Sequence, residues 1–218
     1  MLMRMSMTVR ALAAALSALA LVTGAGSAAA VFGTQGKAAE LRQMDAAATR
    51  VALLPVVDMT GEKEDQRRDQ ANAVKMEMTS QFTERGFQLV DEAAVAKAIT
   101  DLKIDLSDEE DQRREPIFKI GKAVDADLVV FVVVTQAYAK TKQNLFSEQR
   151  EGLAKTKTWL LDVKEEKPVL SGYVWEGKST GNAGLFTKGN RGRMGAACAN
   201  SIRDVLNDAL KAYPGKKK

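Results

Sequence analysis

Leu128-Val129-Val130-Phe131-Val132-Val133-Val134 is seven apolar residues in a row, six of them β-branched or aromatic. A strand built from this run has no polar face to turn to water, so both of its faces must be covered. That places it in the middle of a sheet with helices on either side. Arg50 to Val57 holds a second apolar run, and Pro55 near its end limits pairing there.

The segments between these runs supply the covering helices. Asp58 to Arg67 is polar, contains Gly61 and reads as a loop. Ala71, Val74, Met78 and Phe82 then recur at helical spacing, with charged residues between them. Gly86 provides a left-handed stop and Phe87 follows as its apolar contact. Phe87 to Val90 alternates as a strand, and Asp91 caps a helix with Val95, Ile99 and Leu102 on one face. Ser107-Asp108-Glu109-Glu110 has the form of a capping box. Pro116 requires a break and a restart with proline in the first helical turn, followed by a face of Ile117, Ile120 and Val124.

After residue 134 the character changes. Tyr138 to Lys157 is polar and reads either as an extended hairpin or as a mobile loop. Trp159 to Val163 and Leu170 to Glu176 form an antiparallel pair across the polar turn Lys164 to Pro168. Gly177 to Gly195 reads as a glycine-rich basic loop, and Ala196 to Tyr213 as a last helix with Ile202, Leu206 and Leu210 facing inward. The expected fold is therefore α/β: a mixed parallel and antiparallel sheet flanked by helices, in one domain spanning 50–213. Residues 31–49 read as a spacer and 214–218 as a basic disordered tail.

The amino terminus reads as an export signal. Arg4 and Arg10 precede an uncharged apolar run from Ala11 to Val22, and Ala28-Ala29-Ala30 supplies a small-x-small cleavage pattern. The run is shorter than the roughly 20 residues of a bilayer span. A cut near Ala30 leaves a mature chain without a transmembrane segment. No cysteine near the cut is available for lipidation, so the expected location is periplasmic or secreted, as a soluble and unlipidated protein.

Chemistry is limited by what the chain lacks. It has no histidine, which removes the commonest general base and catalytic zinc ligand. Its one cysteine, Cys198, lies among alanines on the last helix and reads as a buried thiol. The acids between Asp105 and Glu115 lack the glycine turn of a calcium loop, so no metal is expected. Net charge is +4, and removing Arg4 and Arg10 leaves +2, too little to argue for nucleic acid. No catalytic residues, cofactor or enzymatic activity are expected.

The order Leu54-Pro55-Val56, Arg85-Gly86-Phe87-Gln88-Leu89-Val90-Asp91, Ile120-Gly121-Lys122-Ala123-Val124-Asp125-Ala126-Asp127-Leu128-Val129-Val130, Leu160-Leu161-Asp162-Val163 and Gly172-Tyr173-Val174-Trp175 resembles a bacterial envelope superfamily. This group includes the periplasmic domain of the curli secretion lipoprotein CsgG, the activator LpoB and the amino-terminal domain of TolB. The resemblance runs from about Arg50 to Tyr213 and implies a protein-binding or assembly module with no catalytic residues to carry over. Two departures stand out. The lipid-anchor cysteine is missing, and Tyr138 to Lys157 lacks the apolar alternation of a membrane-inserted hairpin.

Candidate contact residues follow from these patterns. Lys188, Arg191 and Arg193 lie in the loop Gly184 to Gly195 before the last helix, where they read either as part of a flexible linker or as an anion or partner contact. Tyr173 and Trp175 share one strand face, with Trp159 on a neighbouring strand, and read either as a core layer or as a partner surface. Tyr138 and Phe146 are the aromatic candidates in the hairpin region. The expected partner is an envelope protein or an outer-membrane assembly component, with homo-oligomers allowed; the alternative is a small anionic ligand or a cell-wall polymer.

Overall fold

The valine-rich run forms the inner half of β4 (Leu128–Asn144), and all seven of its side chains are fully buried. Alternation divides them between two cores. Leu128, Val130, Val132 and Val134 point to one face of the sheet, Val129, Phe131 and Val133 to the other. The computed structural model of the protein describes residues 41–144, 147–182 and 189–213.

On one side, β4 pairs in parallel with β1 (Arg50–Leu53), which pairs in parallel with β3 (Gln88–Leu89). On the other, β4 pairs antiparallel with β5 (Ser147–Asp162), and β5 with β6 (Lys167–Asn182). The strand order is β3-β1-β4-β5-β6. Pro55 splits the first apolar run: after Leu54 and Pro55 the chain rejoins β4 as the two-residue β2 (Val57–Asp58). The mixed α/β sheet is thus the one the sequence predicts.

α1 (Glu64–Thr83) and α4 (Asn190–Ala209) cover the first face; α2 (Glu92–Leu102) and α3 (Arg114–Ala123) cover the second. Val74, Met78 and Phe82 are fully buried on α1. Gly86 ends that helix at φ +87, a conformation that a β-carbon resists, and the Phe87 amide donates to the Phe82 carbonyl. Pro116 sits in the first turn of α3, where no intrahelical donor is lost. Asp127 ties three segments together. Its carboxylate accepts from the Arg50 amide at 2.7 Å and from Lys164 at 2.5 Å, and its carbonyl accepts the Val163 amide at 2.8 Å. Burial pushes this carboxyl up, but the Arg50 amide and Lys164 together outweigh it and hold the group below the usual aspartate range.

Several expectations need correction. No helix starts at Ser107. The segment folds as turns in which Asp105 accepts from both the amide and the hydroxyl of Ser107, so the serine is spent on the residue two before it. On α2 the inward face is Val95 and Ala98 with the partly buried Ile99, while Leu102 is 39% exposed. The loop after β2 is shorter than expected, because α1 already begins at Glu64. Residues 41–49, expected within the spacer, are docked: Leu41 is buried and Arg42 pairs with Asp162 at 2.6 Å. The Tyr213 hydroxyl accepts the Met44 amide and donates to the Arg42 carbonyl.

The largest departure concerns Gly177 to Gly195. Most of this stretch is regular: β6 continues to Asn182 and α4 begins at Asn190. Gly177 and Gly181 serve close approach. A β-carbon on Gly177 would sit 1.9 Å from the Ala197 carbonyl oxygen, and one on Gly152 of β5 would sit 2.2 Å from that of Arg193. The backbone of α4 lies directly on the backbone of the sheet along this seam. The signal region, residues 31–40 of the spacer, the hairpin tip with Phe146, the stretch containing Lys188 and the tail 214–218 lie outside the described residues.

Candidate functional site

Beyond Val134 the strands β4, β5 and β6 continue as a three-stranded antiparallel ladder, so Tyr138 to Lys157 is an extended hairpin. A register shift between Val134 and Gln136 marks where it leaves the central sheet. One side of this ladder lies under the first turns of α4. There Ala137, Ala139, Ala154, Gly152, Gly177, Ser179 and Gly181 keep the surface low enough for the helix to settle. Two α4 side chains complete the join: Arg193 donates to the Thr180 carbonyl at 2.8 Å, and Asn200 to the Lys178 carbonyl at 2.7 Å.

The other side of the ladder has no helix over it among the described residues. Cross-strand pairing builds it in rows: Gln136, Lys155 and Glu176; Tyr138, Leu153 and Lys178; Lys140, Glu151 and Thr180. Tyr138, 41% exposed, stands at the centre beside the half-buried Leu153. Charges surround them. Lys155 pairs with Glu176 at 2.9 Å, Lys178 pairs with Glu151 at 2.5 Å, and the Lys140 ammonium lies 5.3 Å from the Tyr138 ring centre. An amphipathic ring and an aliphatic side chain rimmed by charged pairs, on a rigid backing, have the layout of a protein contact surface.

The other sequence candidates lie elsewhere. Tyr173 and Trp175 stack at 5.8 Å on the helix side of β6, half-buried against the first core. Trp159 occupies the opposite face, packed 5.1 Å from Phe131, so the three aromatics do not form one cluster. Arg191 is held by α1: its guanidinium pairs with Asp65 at 2.6 Å and with Asp69, and it donates to the Asp65 carbonyl at 2.8 Å. The bond to Asp69 keeps the arginine above its ordinary value and the acid below its own. Arg193 spans from α4 to β6. Of the three candidates for anion capture, the two among the described residues are therefore engaged within the fold. Cys198 is fully buried, and burial, with the Asp58 carboxylate adding to it, pushes its thiol up to about 12. Among the described residues no three acids or thiols are grouped to hold a metal ion, and no helix is long and apolar enough to cross a membrane.

Leu153, Glu151 and Lys178 were not singled out from the sequence. Their signal was present as a period of two in Glu151-x-Leu153-x-Lys155, but it points at Tyr138 only once the register is fixed.

No protein-family model and no curated protein matches the chain. Solved structures similar to it include the lipoprotein GNA1162 from Neisseria meningitidis, at 16% identity and TM-score 0.42, covering 73% of this chain and 99% of that one. The LpoB C-terminal domain from Salmonella enterica aligns at 14% identity and TM-score 0.39, over 64% and 86% of the two chains. A PelC dodecamer from Paraburkholderia phytofirmans aligns at 12% identity and TM-score 0.38, over 76% and 91%. Likeness at this level is likeness in part of the fold and carries no function with it.

Proposed function

We propose that this chain is an exported, non-enzymatic interaction or assembly module of the bacterial cell envelope, and that the side of its β4-β5-β6 ladder turned away from α4 receives a protein partner. The observation that carries the reading is the pairing of a glycine-seated helix on one side of the ladder with the exposed Tyr138 and the half-buried Leu153 on the other. Rigid backing lowers the ordering penalty of association, which favours a surface that binds without rearranging. The signal-like leader and the lack of histidine point the same way: delivery outside the cytoplasm, and recognition as the task. The partner is an envelope protein or outer-membrane assembly component, or a further copy of this chain.

A photocrosslinking residue placed at Tyr138 in cells tests the reading, with the same residue at the exposed Arg67 as control. We expect a discrete adduct from position 138 only, in the periplasmic fraction, on a chain whose mature start lies near Val31. Equal labelling from both positions, or a product retained in the cytoplasm, rejects it. The anion-binding alternative has less support, since Arg191 and Arg193 are already bonded within the fold.

A further inference from the structure

A second feature lies at the β3 edge of the sheet, two strands to the side of β4, where β1 and β3 finish. These two parallel neighbours send their helices to opposite faces of the sheet: α1 after β1 to the first face, α2 after β3 to the second. Diverging helices leave a crevice at the carboxyl ends of the strands, the place where open α/β sheets take their ligands. Here the crevice is real, with a volume of ≈ 150 Å³. Leu54, Pro55, Leu89 and Val95 give it an apolar floor.

Its two walls are helical. Lys75 and Thr79, four residues apart on one face of α1, stand opposite Glu92 and Ala96, likewise four apart on α2. Across the mouth the Lys75 ammonium meets both oxygens of Glu92, at 2.6 and 2.7 Å. The two side chains are 50% and 74% exposed, so this pair sits in solvent and contributes little to stability. A guest that brings only an anion would leave Glu92 without its cation, and one that brings only a cation would strand Lys75. A guest carrying both charged groups on one carbon satisfies each.

We infer that this crevice binds a free α-amino acid with an aliphatic side chain: carboxylate on Lys75 and the Thr79 hydroxyl, ammonium on Glu92, and the side chain on the apolar floor. Benzene fills an engineered apolar cavity of about 150 Å³, so an aliphatic side chain of three or four carbons is of the right size. The site is independent of the partner surface on the ladder.

The test is a melting-temperature titration of the purified chain with L-leucine, 4-methylpentanoate and 3-methylbutylamine, which share the aliphatic body and differ in charge. L-Leucine is expected to raise the melting temperature saturably, and the other two to fall at least tenfold short in apparent affinity. Lys75→Met and Glu92→Gln should each remove the leucine response, while Lys97→Met, which breaks an exposed pair on α2 away from the crevice, keeps it. Ala96→Phe, which fills the crevice without touching either charge, should remove it too. Equal responses to all three compounds, no response to leucine at millimolar concentration, or a leucine response that survives Ala96→Phe would overturn the assignment.

Discussion

The two halves of this molecule are joined by different kinds of contact. In the first, β1, β3 and α1 to α3 meet through interlocking side chains, with Phe82 fully buried and set edge-on to Phe87 at 5.5 Å. In the second, α4 rests on β5 and β6 backbone to backbone, and glycine supplies the room. The first arrangement fails when atoms are removed, because a void opens. The second fails when atoms are added, because at Gly152 and Gly177 the nearest atoms are those of the α4 main chain.

That contrast is open to direct attack. Phe82→Ala should have the largest effect, lowering stability by about 3–5 kcal/mol in denaturant unfolding, through lost burial and the cavity left behind. Gly177→Ala comes next, at about 1–3 kcal/mol, since the new methyl would collide with the Ala197 carbonyl. Gly189→Ala is its control, because a β-carbon there meets nothing nearer than 3.9 Å. If the two glycine variants unfold alike, the backbone seam is not what holds α4.

Asp127, where β1, β4 and the β5–β6 turn meet, sharpens the comparison by showing a third kind of contact. Asp127→Ala should cost about 1–3 kcal/mol at neutral pH by leaving the part-buried Arg50 amide without its acceptor. Because the native carboxyl sits below its unfolded value of about 3.9, its stabilisation is complete above that pH and is lost as pH falls through the native value. Between pH 5 and 2 the wild type should therefore lose stability more steeply than Asp127→Asn. Smallest of all, Arg191→Met should weaken the bridge between α1 and α4 only slightly, an effect that added salt should erase.

Local chemistry was legible in the sequence wherever one segment decides its own state. The valine run had to be central, Gly86 had to end a helix, and Pro116 had to stand in a first turn. The errors share a cause. Gly177 and Gly181 look like turn residues, yet they serve a helix that meets them only in three dimensions. Ser107 begins a sound capping pattern, but Asp105 takes its hydrogen bonds first. Arg191 looked unclaimed because Asp65 and Asp69 precede it by more than 120 residues. Of the candidate site, Tyr138 was visible as an aromatic in a polar stretch; its neighbours Leu153 and Lys178 depend on strand register, which no single segment encodes.

Among the described residues β6 is sixteen residues long and has a neighbouring strand on one side only. Such a margin is a template on which another chain can grow a fibril. Here the template is spoiled at both ends. Near its start, Ser171 and Gly172, the latter at φ +64, oppose the single Trp159 and kink the strand; further along, Asn200 and Arg193 already occupy the carbonyls of Lys178 and Thr180. The same helix that steadies the ladder also guards the protein against polymerising through its own rim.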